Sequence, residues 1–252
     1  MEKKIKIFSS EYGAGLSRAE ERESAPVGVN LAALERFYAQ MGDKHKRNFD
    51  KFAAYWEAEG FEKLFNPAAR VVTMPVAVAE ENFGAELLRV NDSVSEVVMI
   101  VWTIGPELER ECSEMMNSTG SLMTGFLLDV AGSVALYDMH AALDLWVKAN
   151  PAAGLGKFVN GEFYPGMGSM RQDLMEKVVT LGDTEKIIGV GASGLSLLRP
   201  RKSQCSFVAL GSAEHEAVFK SEPCKPCAGK KCLYYQARRL PYAGGAVTRA
   251  AT

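Results

Sequence analysis

The chain has 252 residues, of which 47% are hydrophobic and 24% are charged, so it is long enough to bury a substantial core. Its formal charge of -2 excludes a global basic field for holding nucleic acid. The amino terminus lacks the apolar core and cleavage site of a signal peptide, so we expect a cytoplasmic protein. The most apolar stretch, residues 119–137, is interrupted by Asp129, which favours a buried helix over a membrane span.

Hydrophobic spacing in the first 150 residues predicts helices on both sides of a strand region. Apolar residues recur at helical spacing over residues 31–41 and again over residues 49–56. The β-branched runs at residues 71–78 and 95–105 predict strands. A long helical pattern follows at residues 121–148, with small residues that permit close approach of a neighbour. We expect this segment to be the central helix of the core.

The chain changes in character after Pro151. Residues 154–168 contain five glycines, whose bare backbone can approach a ligand closely. A helical pattern at residues 174–181 comes next, and residues 187–193 and 206–212 predict two short strands around a basic turn. Together these elements predict an α+β fold, with a mixed or antiparallel sheet and flanking helices.

Three of the five cysteines lie close together near the carboxyl terminus. Cys224, Cys227 and Cys232 place three soft ligands on one loop, which in a cytoplasmic chain favours metal or redox chemistry over structural disulfides. Cys205 is the natural fourth ligand, and His215 is the other candidate. Four thiolates suit zinc or an iron–sulfur cluster, and the spacing leaves both open. The alternative is a solvated basic tail in which the thiols are free.

One stretch carries a resemblance to a known family. Residues 103–139 contain, in this order, a Thr-Ile-Gly turn, a helix, and a second helix with Asp129, Gly132 and Ser133. In order and residue type this stretch resembles the opening of the S-adenosylmethionine-binding activation region of cobalamin-dependent methionine synthase.

A second stretch resembles the same family. Residues 162–168 read Glu-Phe-Tyr-Pro-Gly-Met-Gly, where the family has an Arg-x-x-Pro-Gly-Tyr loop. A Ser-Gly turn and a Pro-x-Lys-Ser segment follow at residues 193–194 and 200–203, as in the family. The two matches span roughly residues 103–210 and imply an activation-domain-like body at residues 101–215. They leave residues 1–100 as an unassigned helical and strand segment and residues 216–252 as a cysteine-rich basic tail.

The resemblance implies a ligand site as well as a fold. The residues at the family's ligand positions are Glu162, Pro165, Gly166, Met167, Gly168, Ser193, Lys202 and Ser203. Glu162 stands where the family's arginine helps to hold S-adenosylmethionine, and a carboxylate there would repel the carboxylate of that ligand. We therefore expect S-adenosylmethionine to bind weakly or not at all.

The function that the resemblance implies is that of a corrinoid-associated accessory protein, which assists reductive activation or methylation of a corrinoid cofactor. The corrinoid would be held by a partner, either a corrinoid protein or a methyltransferase, because no cobalamin-binding domain is recognisable in this chain. The alternative is a non-catalytic module that binds a corrinoid protein and has a structural metal site. We expect neither nucleic acid nor a membrane as a partner.

The cysteine spacing generates the first testable prediction. Metal analysis of anaerobically purified protein should find iron or zinc in the native chain and less of it in a Cys227→Ser variant, because the substitution removes one thiolate ligand. Equal metal content in the two proteins, or none in either, would contradict this assignment.

Overall fold

The computed structural model describes residues 1–13, 19–84, 90–166, 170–194 and 196–214. Within these ranges the chain has an α+β fold, in which a six-stranded mixed sheet is curled into a half-barrel and flanked by helices. The predicted fold class is confirmed at this level.

Most of the strands belong to one sheet. The strands are β1 (Glu2–Glu11), β2 (Glu20–Gly28), β3 (Ala68–Pro75), β4 (Val94–Thr103), β5 (Phe158–Phe163), β6 (Gly191–Ser193), β7 (Leu197–Arg199) and β8 (Ser203–Gly211). The main sheet has the order β2-β1-β3-β4-β8-β5, and β6 and β7 form a separate hairpin. Only the β1–β3 pair is parallel among these described strands. Strands from the unassigned segment at residues 1–100 and from the segment after it thus form one sheet.

Helices flank this sheet. They are α1 (Leu31–Ala39), α2 (Asp43–Tyr55), α3 (Phe61–Leu64), α4 (Val76–Phe83), α5 (Glu107–Met116), α6 (Leu122–Val147), α7 (Met175–Gly182) and α8 (Thr184–Ile188). A π turn, Trp56–Gly60, joins α2 to α3, and a second one, Lys148–Ala152, extends α6. A short 3₁₀ turn, Gln172–Leu174, leads into α7.

Both faces of the sheet are covered by hydrophobic cores. Along β4, alternate side chains such as Ile100 and Trp102 join the core that contains α6, while Met99 and Val101 join the core that contains α7. This two-sided burial explains why β4 reads as a continuous apolar run in the sequence. Each large side chain buried in this way contributes about 1.5–3 kcal/mol to stability.

The long helix α6 lies in the core, as predicted. By length and composition, α6 is the one helix in the described part of the chain that is long and apolar enough to cross a membrane. Of its most apolar 18-residue segment, 61% is buried inside the protein. The core helix of a soluble protein passes the same test. Near the start of α6 the burial is incomplete, because the side chain of Phe126 is exposed.

Two strand assignments made from the sequence need correction, and some strands were not foreseen. The predicted strand at residues 71–78 ends at Pro75, and the next three residues begin α4. Proline has no backbone N–H to donate to a sheet, which explains this boundary. The predicted strand at residues 187–193 is divided between the end of α8 and β6. Strand β2, and β5 within the glycine-rich region, show too little hydrophobic alternation to be recognised. Strand β1 has a short alternating run at residues 4–7, with Ile5 and Ile7 buried, but polar residues surround this run on both sides.

Close packing of α5 against α6 generates the second prediction. A Cβ atom at Gly125 would lie 2.9 Å from Cβ of Met115 and 3.1 Å from the backbone N of Met116. We expect Gly125→Ala to lower the free energy of unfolding by about 1–3 kcal/mol in a denaturant titration, since the backbone of α5 must shift.

The matched control is Gly154→Ala, because nothing lies within 4 Å of a Cβ at that position. Alanine's higher helix propensity should leave the control unchanged or stabilise it by up to about 1 kcal/mol. Equal stability of the two variants would contradict the proposed packing constraint.

Candidate functional site

A cavity of about 390 Å3 lies where α6, the end of β5, α7, β8 and the β6–β7 hairpin meet. Its lining is Tyr137, His140, Tyr164, Pro165, Gln172, Met175, Ser196, Leu197, Leu198, Arg201, Ser203, Gln204 and Cys205. Three of these residues, Pro165, Ser203 and Cys205, are site residues predicted from the sequence. Apolar and aromatic walls with a few polar groups are typical of small-molecule sites, so this cavity is the candidate functional site.

A buried polar cluster lies against the cavity. Glu162 is on β5 and Tyr164 follows this strand, so their two-residue spacing directs both side chains to the same side. Oε1 of Glu162 lies 2.7 Å from Nε2 of His140, and Oη of Tyr164 lies 2.8 Å from the same nitrogen. All three residues are buried. We call Glu162, His140 and Tyr164 the buried triad.

The triad keeps Glu162 ionised. Burial alone would raise the pKa of Glu162, but the charge of His140 and the hydrogen bonds from His140 and Tyr164 outweigh burial and hold this pKa below its usual value. The Trp102 ring stacks on the imidazole, with ring centroids 5.3 Å apart and planes 17° apart. The Trp102 indole N–H is itself fixed by the backbone oxygen of Leu136 at 3.3 Å. The histidine is therefore held in one orientation.

Asp144 is a second buried carboxyl group near the triad, one helical turn beyond His140 on α6. Burial raises the pKa of Asp144, and the charge of Glu162 acts in the same direction. Lys148, whose Nζ lies 3.4 Å from Asp144 Oδ2, opposes these effects without overcoming them. Two carboxyl groups close to one histidine thus have pKa values shifted in opposite directions.

Glu162 does not line the cavity. Its carboxylate is 2% exposed and contacts His140 and Tyr164, which do line it. A ligand in the cavity would therefore meet the Tyr164 hydroxyl or the His140 ring before it met Glu162. The role of Glu162 as a direct ligand contact stays a prediction.

Residues of the two matched stretches come together in space. Lys202 Nζ lies 2.9 Å from Asp129 Oδ1 and donates a hydrogen bond to Ser133 Oγ at 2.7 Å. Ser203 donates to Thr103 Oγ1 at 2.9 Å. Residues about 70 and 100 positions apart along the chain are thus brought into contact, because the helix α6 and the strand β4 both pack beside the start of β8.

The glycine-rich loop is described only in part. Pro165 lines the cavity, and Gly166 adopts a left-handed φ of 81° and donates its N–H to the Met170 carbonyl at 3.0 Å. Met167 and Gly168 lie outside the described residues. The Ser193 hydroxyl in β6 is buried and has no hydrogen-bond partner in the described part of the chain.

The predicted metal site also falls mainly outside the described residues, since Cys224, Cys227, Cys232 and His215 all lie beyond residue 214. Cys205 is buried in β8, 3.7 Å from the Met175 sulfur, and burial raises the pKa of its thiol to about 12. In this environment it is a protonated thiol and not a thiolate. Between residues 1 and 214, the described positions contain no group of three or more His, Cys, Asp or Glu residues that could hold a metal.

The fifth cysteine of the chain, Cys112, is buried on the inner face of α5, and burial raises the pKa of its thiol to about 12. A larger cavity, of about 720 Å3, lies between α5 and the β6–β7 hairpin. It contains none of the predicted ligand residues. We therefore place the candidate site in the smaller cavity.

Two residues of the site were not identified from the sequence. His140 is a hydrogen-bonded core residue of α6, and no local sequence pattern marks its position in the cavity lining. Tyr164 belongs to the matched loop but has no assigned role there. Recognition of β5 would have placed Glu162 and Tyr164 on one side of a strand and shown that they need a polar partner, without identifying that partner as His140.

Comparison with known proteins adds no family assignment. A scan against models of known protein families finds no match, and a search of curated proteins finds none either.

The raised pKa of Asp144 generates the third prediction. An acid whose pKa is higher in the folded than in the unfolded chain stabilises the fold below its unfolded pKa, and this stabilisation is lost as pH rises through the folded pKa. At pH 7 Asp144→Asn should therefore unfold at a higher denaturant concentration than the native chain.

The gain should shrink as pH falls towards 4, because Asp144 of the native chain then becomes protonated as well. Asp50→Asn on the exposed face of α2 is the control, and it should show no such gain. A destabilised Asp144→Asn protein at pH 7 would mean that the ion pair with Lys148 outweighs burial.

Proposed function

We propose that this protein is a corrinoid-associated accessory protein, which assists reductive activation or methylation of a corrinoid held by a partner protein. One observation carries the proposal: the residues of both matched stretches contact one another beside a single cavity. Lys202 reaches Asp129 and Ser133, and Ser203 reaches Thr103. Thr103 and Ser203 are register partners of β4 and β8, so the two stretches form one packed unit, as the resemblance implies.

The fold supports the same proposal. The sheet is mixed and curled, with helices on both faces, and the matched region supplies the strands β5 and β8 and the core helix α6, while β4 enters this region only at Thr103. We propose that this arrangement is a variant of the activation fold, with β1 and β2 as additional strands at one edge.

The cavity argues for an altered ligand site. In the family an arginine helps to hold the carboxylate of S-adenosylmethionine, whereas here the same position points a carboxylate inward to His140. No guanidinium is supplied from residue 162, and the cavity-lining cation is Arg201. We therefore propose that methyl donation from S-adenosylmethionine is weak or lost, and that the main role is to dock on a corrinoid protein and assist its return to the reduced state.

A docking surface surrounds the cavity mouth. It includes Leu197, which is 43% exposed, the basic side chain of Arg201, and the loop at Pro165 and Gly166. Bare glycine backbone permits close approach, and Arg201 would favour an acidic partner. Arg199 and Lys202 are less suited to this role, because Arg199 lines the larger cavity beside Glu109 and Lys202 is paired with Asp129.

Surface plasmon resonance of the full chain against corrinoid proteins from the same cell, loaded and empty, tests the proposal. We expect binding that weakens as salt rises, and an Arg201→Ala variant should associate roughly two- to tenfold more slowly, since exposed charges mainly set the association rate. Arg36→Ala on α1 is the control and should associate like the native chain.

If no corrinoid protein binds at low salt, and free cobalamin does not bind either, the proposal fails. The visible absorption of anaerobic protein separates the two forms of the hypothesis. A sulfur-to-iron charge-transfer band supports assistance by electron transfer, whereas a colourless zinc protein supports a non-catalytic binding module with a structural metal.

A further inference from the structure

The buried triad has a geometry that docking does not use. A single nitrogen, Nε2 of His140, is within hydrogen-bond distance of two oxygen atoms, Glu162 Oε1 at 2.7 Å and Tyr164 Oη at 2.8 Å. When Nε2 carries a proton, it donates to the carboxylate and lies beside the phenol oxygen. When it does not, it accepts the phenol proton. One proton can therefore move between His140 and Tyr164 without any change in heavy-atom positions.

The triad is connected to the cavity through Tyr164 and His140, both of which line it. Glu162 lies behind them, fully buried and ionised, and stabilises an imidazolium at His140. A buried carboxylate that orients a histidine, with that histidine hydrogen-bonded to a tyrosine that lines the ligand space, is an arrangement suited to acid–base chemistry.

We propose that the cavity is an acid–base site for a small ligand with an acidic oxygen, such as a phenol, an enol or a carboxylic acid, and that Tyr164 exchanges a proton with that oxygen. The ligand enters as an oxyanion. The Tyr164 O–H bond breaks as the new O–H bond forms on the ligand, and Tyr164 recovers a proton from Nε2 of His140. The products are a neutral ligand, a neutral imidazole and an unchanged Glu162 carboxylate, so atoms and charge balance.

The walls of the cavity define the rest of the ligand. Met175, Leu197 and Leu198 are apolar, Tyr137 is aromatic, and the volume of about 390 Å3 admits a ring with short substituents. Arg201 supplies a positive charge in the lining, which attracts an oxyanion. Because the ionised Glu162 lies behind His140 and Tyr164, it would repel a ligand that stayed anionic, and proton transfer to the ligand removes this repulsion.

The probe is 4-nitrophenol, whose ionised form is yellow and whose neutral form is not. It is titrated with the full chain in well-buffered solution at a pH where most of the probe is ionised. We expect the yellow absorbance to fall in a saturable way as the bound probe becomes protonated. The matched probe is 4-nitroanisole, which has no acidic oxygen and should bind more weakly.

Tyr164→Phe should bind 4-nitrophenol about tenfold more weakly and abolish the colour change, because the phenol ring is kept while the exchanging hydroxyl is lost. Tyr12→Phe changes an exposed tyrosine outside the cavity lining and should retain the colour change. Thermal unfolding of both variants checks that they are folded.

Nitrogen NMR of the native protein gives a second measurement that needs no variant. The Nε2 signal of His140 should move from its protonated to its neutral position as 4-nitrophenol is added. The proposal is overturned if the native chain leaves the probe yellow up to its solubility limit, if Tyr164→Phe behaves like the native chain, or if the His140 signal does not move. No corrinoid is present in these experiments, so their failure would leave the docking proposal standing.

Discussion

The burial of one charge, the Glu162 carboxylate, constrains the whole site. An ionised carboxylate in a protein interior is stable only when opposite charge and hydrogen bonds compensate for the lost water. His140 and Tyr164 provide this compensation, and Trp102 holds the histidine by stacking. Glu162 lies on β5 and Tyr164 follows it, while His140 lies on α6 and Trp102 on β4. The contacts that stabilise this one carboxylate therefore fix an edge strand, the core helix and the central strand relative to one another.

Part of this architecture was predictable from the sequence, and the reasons differ between elements. The helix at residues 121–148 and the strand at residues 95–105 have strong periodicity or strong β-branched content, because each is buried over most of its length. Strand β5 has neither signal. It is an edge strand with a bulge in its pairing to β8, and it buries Asn160 and Glu162, so its sequence reads as a polar, glycine-containing loop.

The candidate site shows the same division between local and long-range information. The loop residue Pro165 and the segment with Ser203 and Cys205 were identifiable because local sequence patterns mark them. The pairing of His140 with Glu162 was not, because it joins a helix to a strand across 22 positions and depends on how β5 packs on α6. A lone histidine and a lone glutamate carry no signal of their partnership in a single sequence.

Glu162 also limits what residue 162 can contribute to ligand binding. A ligand-clasping arginine has to present its guanidinium to a cavity, whereas Glu162 directs its carboxylate away from the cavity to His140. The two arrangements are incompatible at one position, because an arginine turned inward would bury a second cation against His140 without a counter-ion. The Glu162 carboxylate therefore forms an internal contact with His140 and offers no cation to an anion in the cavity. Tyr164 and His140, not residue 162, are the members of the buried triad that line the cavity.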